Sequence, residues 1–430
     1  MERTYIKDIK GKIGQEIKLN GFVHAIRDQG GLVFLIIRDR TGLIQCIVKK
    51  AQQEVFEKAK EISLESVLTV TGNVKEESQA PDGIEVSIEK IEVLSVSDPE
   101  LPIPVVSEKS GDETEASKRF DWRWIDLRKP ERQHIFKVWT ELEKGYRKYF
   151  DENDFTQIYT PSFMVAPSES GAEVFKVEYF DRKAYLAQSP QFYKQMAMAS
   201  GLEKVFMVGP VYRAEPSFTT RHMTEFTGWD FEISYIDSHQ DIMKEKEKLL
   251  VAGLNHLKKV LDLDIEIPTI PFPKITMKEA KEKLSKSGVP STKPFDISPE
   301  EEREISKIIK EETGHDFVFL TDYSIDIRPF YHMRYEDNPK TTKSFDLLYK
   351  GVEVVTGAQR EHRHDVLVAQ AKEKNMNLDE LTDYLNFFKY GCPPHGGIGF
   401  GPGRLIMQLL DLPSVKEATF LPRDVKRLRP

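Results

Sequence analysis

Residues 211–230 read VYRAEPSFTTRHMTEFTGWD and carry the most specific chemistry in the chain. Arg213 and Glu215 lie two apart, and after a short loop His222, Phe226 and Asp230 follow at a four-residue interval. An arginine, a carboxylate and an aromatic ring suit an adenine nucleotide. The guanidinium can fork onto a phosphate, the carboxylate can accept from the adenine amino group, and the ring can stack on the base. A second group lies far away in the chain, where Gly396 to Arg404 read GGIGFGPGR. A dinucleotide-binding turn would need an acidic residue at a strand end about 20 positions on. Here only 26 residues follow Arg404, and Asp424 sits in a basic tail.

These residues need elements to hold them. The apolar runs VFMVGPVY and EFTGWDFEISYI predict two antiparallel strands with the Arg213–His222 loop at their tip. Ile135, Trp139, Leu142, Tyr146 and Phe150 recur with the period of an amphipathic helix, and FTQIYTP then predicts a strand ending at Pro161. Residues 1–100 hold five short strand-like runs with a helical AQQEVFEKAKEI between the third and fourth, the pattern of an OB-fold barrel. A proline-containing, then polar stretch over 101–130 predicts a hinge, and long helices alternating with strands fill 131–430. An insertion at about 268–314 mixes prolines with charged helical segments and suggests no chemistry.

Composition bounds the function. Cys46 and Cys392 are the only cysteines among 430 residues, so no disulfide framework exists and a reducing cytoplasm is expected. The N-terminus has no apolar core, and no stretch approaches the roughly 20 apolar residues that span a bilayer, so no membrane is expected. Net charge is −8, from 62 basic and 70 acidic residues, against a strongly electropositive nucleic-acid binder. Residues 1–100 hold 14 basic and 17 acidic residues, so RNA reading there needs local patches and stacking. Cys392–His395 and His362–His364 offer no four-ligand zinc framework.

The Arg213–Asp230 segment resembles motif 2 of the class II aminoacyl-tRNA synthetases, GGIGFGPGR resembles motif 3, and the helix and strand ending at Pro161 resemble motif 1. QSPQFYKQ (Gln188–Gln195) and TEFTGWDFEISY resemble the class IIb aspartyl branch of archaeal type. The resemblance covers essentially the whole chain. It implies an α+β catalytic domain on an antiparallel sheet, behind an N-terminal all-β OB-fold barrel that binds the anticodon. It also implies a homodimer that uses ATP, L-aspartate and tRNA(Asp). Arg213 and Arg404 are then catalytic. Arg213, Glu215, Arg221, His222, Phe226, Glu353 and Arg404 bind ATP, and Asp346, Glu353 and Thr356 hold Mg2+. Lys194 and Arg360 take the aspartate side chain, while Glu169, Ser189, Gln191 and Asp230 take its ammonium. Arg27, Phe34, Gln45 and Glu85 match anticodon contacts; by its apolar strand alone, Phe34 is equally a barrel core residue. His24 and Pro81 resemble the enzymes that charge both tRNA(Asp) and tRNA(Asn). Two departures stand out: Ser170 replaces a glycine of the loop that closes on aspartate, and Gly403 stands where the family has an acidic residue. An asparaginyl enzyme, or an asparagine synthetase paralogue without tRNA, is the alternative reading.

Overall fold

The computed structural model describes residues 1–106, 113–168, 173–289, 291 and 293–430. The chain divides into two compact units, residues 1–134 with Pro430, and residues 135–429.

In the first unit, strands β1 (Glu16–Asp28), β2 (Leu32–Asp39), β3 (Gly42–Lys49), β4 (Val67–Glu76) and β5 (Ile84–Ser95) close a barrel in the order β1-β2-β3-β5-β4. Helix α1 (Gln53–Glu61) lies between β3 and β4 in the chain, as the pattern predicts. Alternation fills the interior: Ile17, Leu19 and Val23 of β1 meet Val33, Leu35 and Ile37 of β2 in one core. Phe34 has the opposite parity and is half-buried on the outer face, which settles its orientation against the core reading. Two short helices, α2 (Ala116–Asp121) and α3 (Arg123–Asp126), occupy the stretch read as a hinge, where Ile103, Val105 and Ile125 form a small core of their own.

The second unit is built on an eight-stranded sheet in the order β12-β13-β14-β15-β16-β11-β10-β6. Its pairs are antiparallel except β12/β13 and β10/β6. The strands are β6 (Thr156–Gln157), β10 (Lys204–Tyr212), β11 (Glu225–Ser234), β12 (Lys274–Thr276), β13 (Phe317–Thr321), β14 (Ser344–Tyr349), β15 (Val352–Arg360) and β16 (His395–Phe400). A separate small sheet joins β7 (Phe163–Met164), β8 (Lys176–Tyr179) and β9 (Arg182–Leu186). Helices α4 (Pro130–Glu152) and α6 (His239–Leu261) pack a common core, in which Ile135, Leu142, Tyr146 and Phe150 meet Trp229, Phe231 and Phe400. The remaining helices are α5 (Gln191–Ala199), α7 (Met277–Ser287), α8 (Pro299–Thr313), α9 (His364–Glu373), α10 (Thr382–Lys389) and α11 (Pro402–Leu409).

One element is shorter than expected. The strand predicted over FTQIYTP contracts to Thr156–Gln157, pairing only Val205 and Phe206 at the edge of the sheet. Beyond it Tyr159 is 82% exposed.

Candidate active site

Strand β11 explains why the residues of the first motif converge. Side chains two apart share a strand face, so Phe226, Asp230 and Glu232 point one way while Trp229 and Phe231 enter the core. The partner strand β10 pairs Tyr212 with Glu225, which leaves Arg213, Glu215, Arg221 and His222 in the connecting loop.

At the inner end of this face, two cations meet two carboxylates. Lys194 of α5 is 1% exposed; its Nζ donates to Asp230 Oδ2 at 2.8 Å and to the Ile398 carbonyl at 2.8 Å, with Glu232 Oε2 at 3.5 Å. Arg360, closing β15, donates from Nε to Glu232 Oε1 at 3.0 Å and from Nη2 to the Gly397 carbonyl at 3.1 Å. Its Nη1 lies 2.9 Å from His332 Nε2. A guanidinium has no acceptor, so His332 accepts at Nε2 and, as a neutral ring, carries its proton on Nδ1. Burial first, then Arg360, hold the His332 pKa well below its ordinary value, so the ring is neutral. Gln191 Nε2 reaches Glu232 Oε1 at 3.3 Å, and Ser189 Oγ accepts from the Gln191 backbone N–H at 3.2 Å.

Glu232 is the hub, and the sequence reading missed it. Burial would raise its pKa, but Arg360 and Lys194 prevail and hold it below the ordinary carboxylate value. Its carboxylate fits because position 397 is glycine: a Cβ there would lie 2.2 Å from Glu232 Oε2. The signal was available, since Glu232 follows Asp230 by one strand period. His332 gave no such signal. Of the expected ammonium acceptors, Glu169 lies outside the described residues, as does Ser170.

At the outer end the side chains line a cavity of about 870 Å³ that includes Ser189, Arg213, Phe226, Asp230, Glu353 and Arg404. Glu215, Arg221, His222 and Thr356 line it too. Arg213 is half-exposed with Glu215 3.6 Å away. Arg404 Nη1 donates to the Glu353 carbonyl at 3.0 Å and lies 3.4 Å from Glu353 Oε1, which also accepts from Thr356 Oγ1 at 3.2 Å. Burial, followed by Arg404, lowers the pKa of His222, which is neutral near pH 7. Gly403, at the first turn of α11, faces Val415 and Trp139: a Cβ there would meet Val415 Cγ2 at 3.2 Å and Trp139 Cζ2 at 3.6 Å. Apolar groups thus flank the position at which the resemblance leads to the expectation of an acid.

Asp346 and Glu353 are brought to one place by antiparallel pairing, with Asp346 opposite Thr356 and Leu348 opposite Glu353. Asp346 Oδ2 bridges Arg328 at 2.8 Å, while its buried Oδ1 has no partner among the described residues. Burial and the neighbouring Glu353 push Asp346 upward; burial works the same way on Glu353, but Arg404 and Arg328 bring it down. No group of three or more His, Cys, Asp or Glu among the described residues could hold a metal. Two carboxylates and a hydroxyl still fit Mg2+, a hard cation that takes further oxygens from phosphate and water.

The insertion, to which the sequence assigns no role, places Lys293, Asp296, Ile297 and Glu302 on the wall of this cavity.

On the barrel, Arg27 of β1 pairs opposite Phe34 of β2, Ile36 opposite Gln45 of β3, and Gln45 Nε2 donates to Glu85 Oε2 of β5 at 3.1 Å. The four predicted anticodon residues therefore share the face of the barrel that points away from its core, on which Glu85 is itself buried. His24 sits at a bulge in β1 with Nδ1 2.8 Å from Arg38 Nη1, and Arg38 in turn grips Glu65 through two bonds. Pro81 is exposed at the start of the short turn Pro81–Gly83.

Residues 115–425 match the model of the class II tRNA synthetases (D, K and N), and residues 17–94 match that of the OB-fold nucleic acid binding domain. The chain is 42% identical to an aspartate–tRNA(Asp/Asn) ligase of Aeropyrum pernix over the whole of both proteins. It is 40% identical to an aspartate–tRNA(Asp) ligase of Pyrococcus abyssi over 97% of each. Among solved structures, asparaginyl-tRNA synthetase of Pyrococcus horikoshii with asparaginyl-adenylate superimposes with a TM-score of 0.92 at 32% identity, covering both chains completely. With the barrel, the antiparallel sheet and the converging motif residues in place, the chain belongs to the class II tRNA synthetases of the D, K and N group.

Proposed function

We propose that the chain activates L-aspartate with ATP and transfers it to tRNA(Asp) and tRNA(Asn). The observation that carries the amino-acid assignment is the charge count at the inner end of the site. Lys194 and Arg360 are matched by Asp230 and Glu232. In the adenylate, an aspartyl group brings one ammonium and one carboxylate, and the site stays neutral. An asparaginyl group brings an unmatched ammonium instead, in a buried site where an uncompensated charge is costly.

In this reading the aspartate ammonium faces Asp230, Ser189 and Gln191, and the side-chain carboxylate meets Lys194 and Arg360. Phe226 stacks on adenine, Glu215 accepts from its amino group, and His222, Arg221 and Arg404 face the phosphates. Aspartate attacks the α-phosphate, Arg213 stabilises the developing charge, and pyrophosphate leaves. Positioning and fixed charge are sufficient for such a displacement. Asp346, Glu353 and Thr356 would hold Mg2+, which supplies charge neutralisation at the phosphates. The 3′-hydroxyl of the terminal tRNA adenosine then takes the aspartyl group.

Relaxed tRNA choice rests on His24 and Pro81. Because Arg38 can only donate, the neutral His24 ring accepts at Nδ1 and keeps its proton on Nε2. Burial and Arg38 lower its pKa, which keeps it neutral. A single N–H can be satisfied by O2 of cytosine or of uracil, and a proline adds no polar reader. Aminoacylation with purified tRNAs tests this. Aspartate should enter tRNA(Asn) within about tenfold of tRNA(Asp), a gap of about 1.4 kcal/mol. A preference of a hundredfold or more would remove the relaxed assignment.

The homodimer rests on the short β6 edge and on apolar exposure beyond it. Tyr159, Val165 and Phe180 are strongly exposed, and Phe163, Tyr179 and Phe180 form a contiguous aromatic group. A two-fold partner would cover such a surface. No helix among the described residues is long and apolar enough to cross a membrane. The cytoplasm, where the other components of translation are found, is the compartment that the proposed reaction requires.

A further inference from the structure

Helix α8, inside the insertion, begins with unusual firmness. Ser298 accepts from the Glu301 N–H while the Glu301 carboxylate accepts from the Ser298 N–H, and Pro299 occupies the first turn. Glu301 also takes Lys281 of α7 at 2.7 Å, and Ile305 and Ile309 pack with Leu284 in a shared core. The next residue after Glu301 is therefore held in a defined direction. Glu302, 5% exposed, receives Arg221 Nη1 on Oε2, and the same oxygen lies 3.4 Å from the Glu353 N–H. Arg404 completes a ring: Nη1 binds the Glu353 carbonyl at 3.0 Å, and Nε lies 3.4 Å from the Arg221 carbonyl. Four segments distant in sequence thus meet at one corner of the cavity, and the insertion contributes the carboxylate.

We propose that Glu302 is a positioning residue for ATP, holding Arg221 so that its guanidinium presents its remaining donors to the phosphates. The inference rests on reading the cavity as the ATP site. Two effects oppose each other. A carboxylate near the phosphates repels them, whereas a loop arginine without its partner loses a charge-assisted bond and regains rotamer freedom. Arg221 lines the cavity and its Nη1 is the atom engaged, so Glu302 neutralises one edge and leaves the others to ligand. Positioning therefore outweighs repulsion, and removal of the charge should weaken ATP binding.

Aspartate-dependent pyrophosphate exchange by the full-length protein tests this with Glu302→Gln, which keeps the shape and the acceptor for Glu353 N–H. The KM for ATP should rise about tenfold or more, while the KM for aspartate stays within about twofold and Glu302→Asp recovers part of the loss. On an Arg221→Ala background, Glu302→Gln should add nothing further. An unchanged or lowered ATP KM, an equal rise for aspartate, or a fully additive loss with Arg221→Ala would overturn the proposal. Should Glu302→Gln not fold, Glu302→Asp gives the same readout: a raised ATP KM alone supports positioning and an unchanged one overturns it. Wild-type protein without aspartate-dependent exchange would overturn the functional reading and this inference together. Wild-type activity with an unaltered Glu302→Gln variant would sink only this inference.

Discussion

Lys194 and Arg360 share one carboxylate, Glu232, and that sharing decides what their replacement does. Lys194→Leu leaves Asp230 and Glu232 with one buried cation fewer. Breaking a buried pair typically costs about 3–5 kcal/mol, so the variant should melt earlier as well as lose aspartate. Aspartate-dependent exchange should collapse while ATP binding is largely kept, and exchange at the wild-type rate would contradict the assigned role. Glu232 also has a pH signature. Its folded pKa is depressed, so its stabilisation is fully present above the ordinary carboxylate pKa and drains only as pH falls through the lower folded value. Glu232→Gln should flatten that acid limb in melting curves recorded against pH, and an unchanged limb would show that another acid sets it. The two cations were legible in the sequence because each stands in a recognisable motif. Glu232 was passed over because the four-residue interval ended at Asp230, although a strand repeats every two residues. His332 reaches Arg360 from a loop with no periodicity to reveal it.

Among the elements, α6 carries a group that the site does not use. Lys246 is fully buried, its Nζ 3.5 Å from the centre of the Phe400 ring and 5.0 Å from that of Tyr146, with no hydrogen-bond partner among the described residues. Burial drives its pKa well below the ordinary lysine value. The folded state thus binds fewer protons than the unfolded one between those two values, and stability rises with pH across that window. Lys246→Met keeps the volume and removes the polar end, and should stabilise the protein by about 1–3 kcal/mol at neutral pH. A lower melting temperature would show that the aromatic faces hold the ammonium favourably. Elements with strong period were legible: the helix through Ile135 and Phe150, the β10–β11 hairpin and the five-stranded barrel. FTQIYTP has side chains that favour a full strand, but its backbone pairing with β10 ends with one bond from the Ile158 N–H to the Phe206 carbonyl. The insertion was silent in sequence because its role comes from where α8 begins, and tertiary packing determines that.

For the whole molecule, a net charge of −8 means that the proposed reading of tRNA rests on local stacking and hydrogen bonding at Arg27, Phe34, Gln45 and Glu85, which share one face of the barrel, and not on bulk charge. The exposed Tyr159 and the aromatic group around Phe180 predict a dimer. Light scattering at micromolar concentration should give twice the 49.6 kDa chain mass, and a fully active monomer would contradict it. Domain order and family were legible because the motifs are widely spaced and occur in the right order. The tRNA repertoire was not, because in the proposed reading it turns on the few atoms that His24 and Pro81 would show to one base. The central claim is the choice of amino acid, and pyrophosphate exchange with aspartate and asparagine in parallel tests it most directly. A mismatched charge contact of about 2–5 kcal/mol corresponds to a preference for aspartate of about 30-fold or more in kcat/KM. Comparable exchange with the two, or a preference for asparagine, would contradict the assignment of Lys194 and Arg360 to a substrate carboxylate.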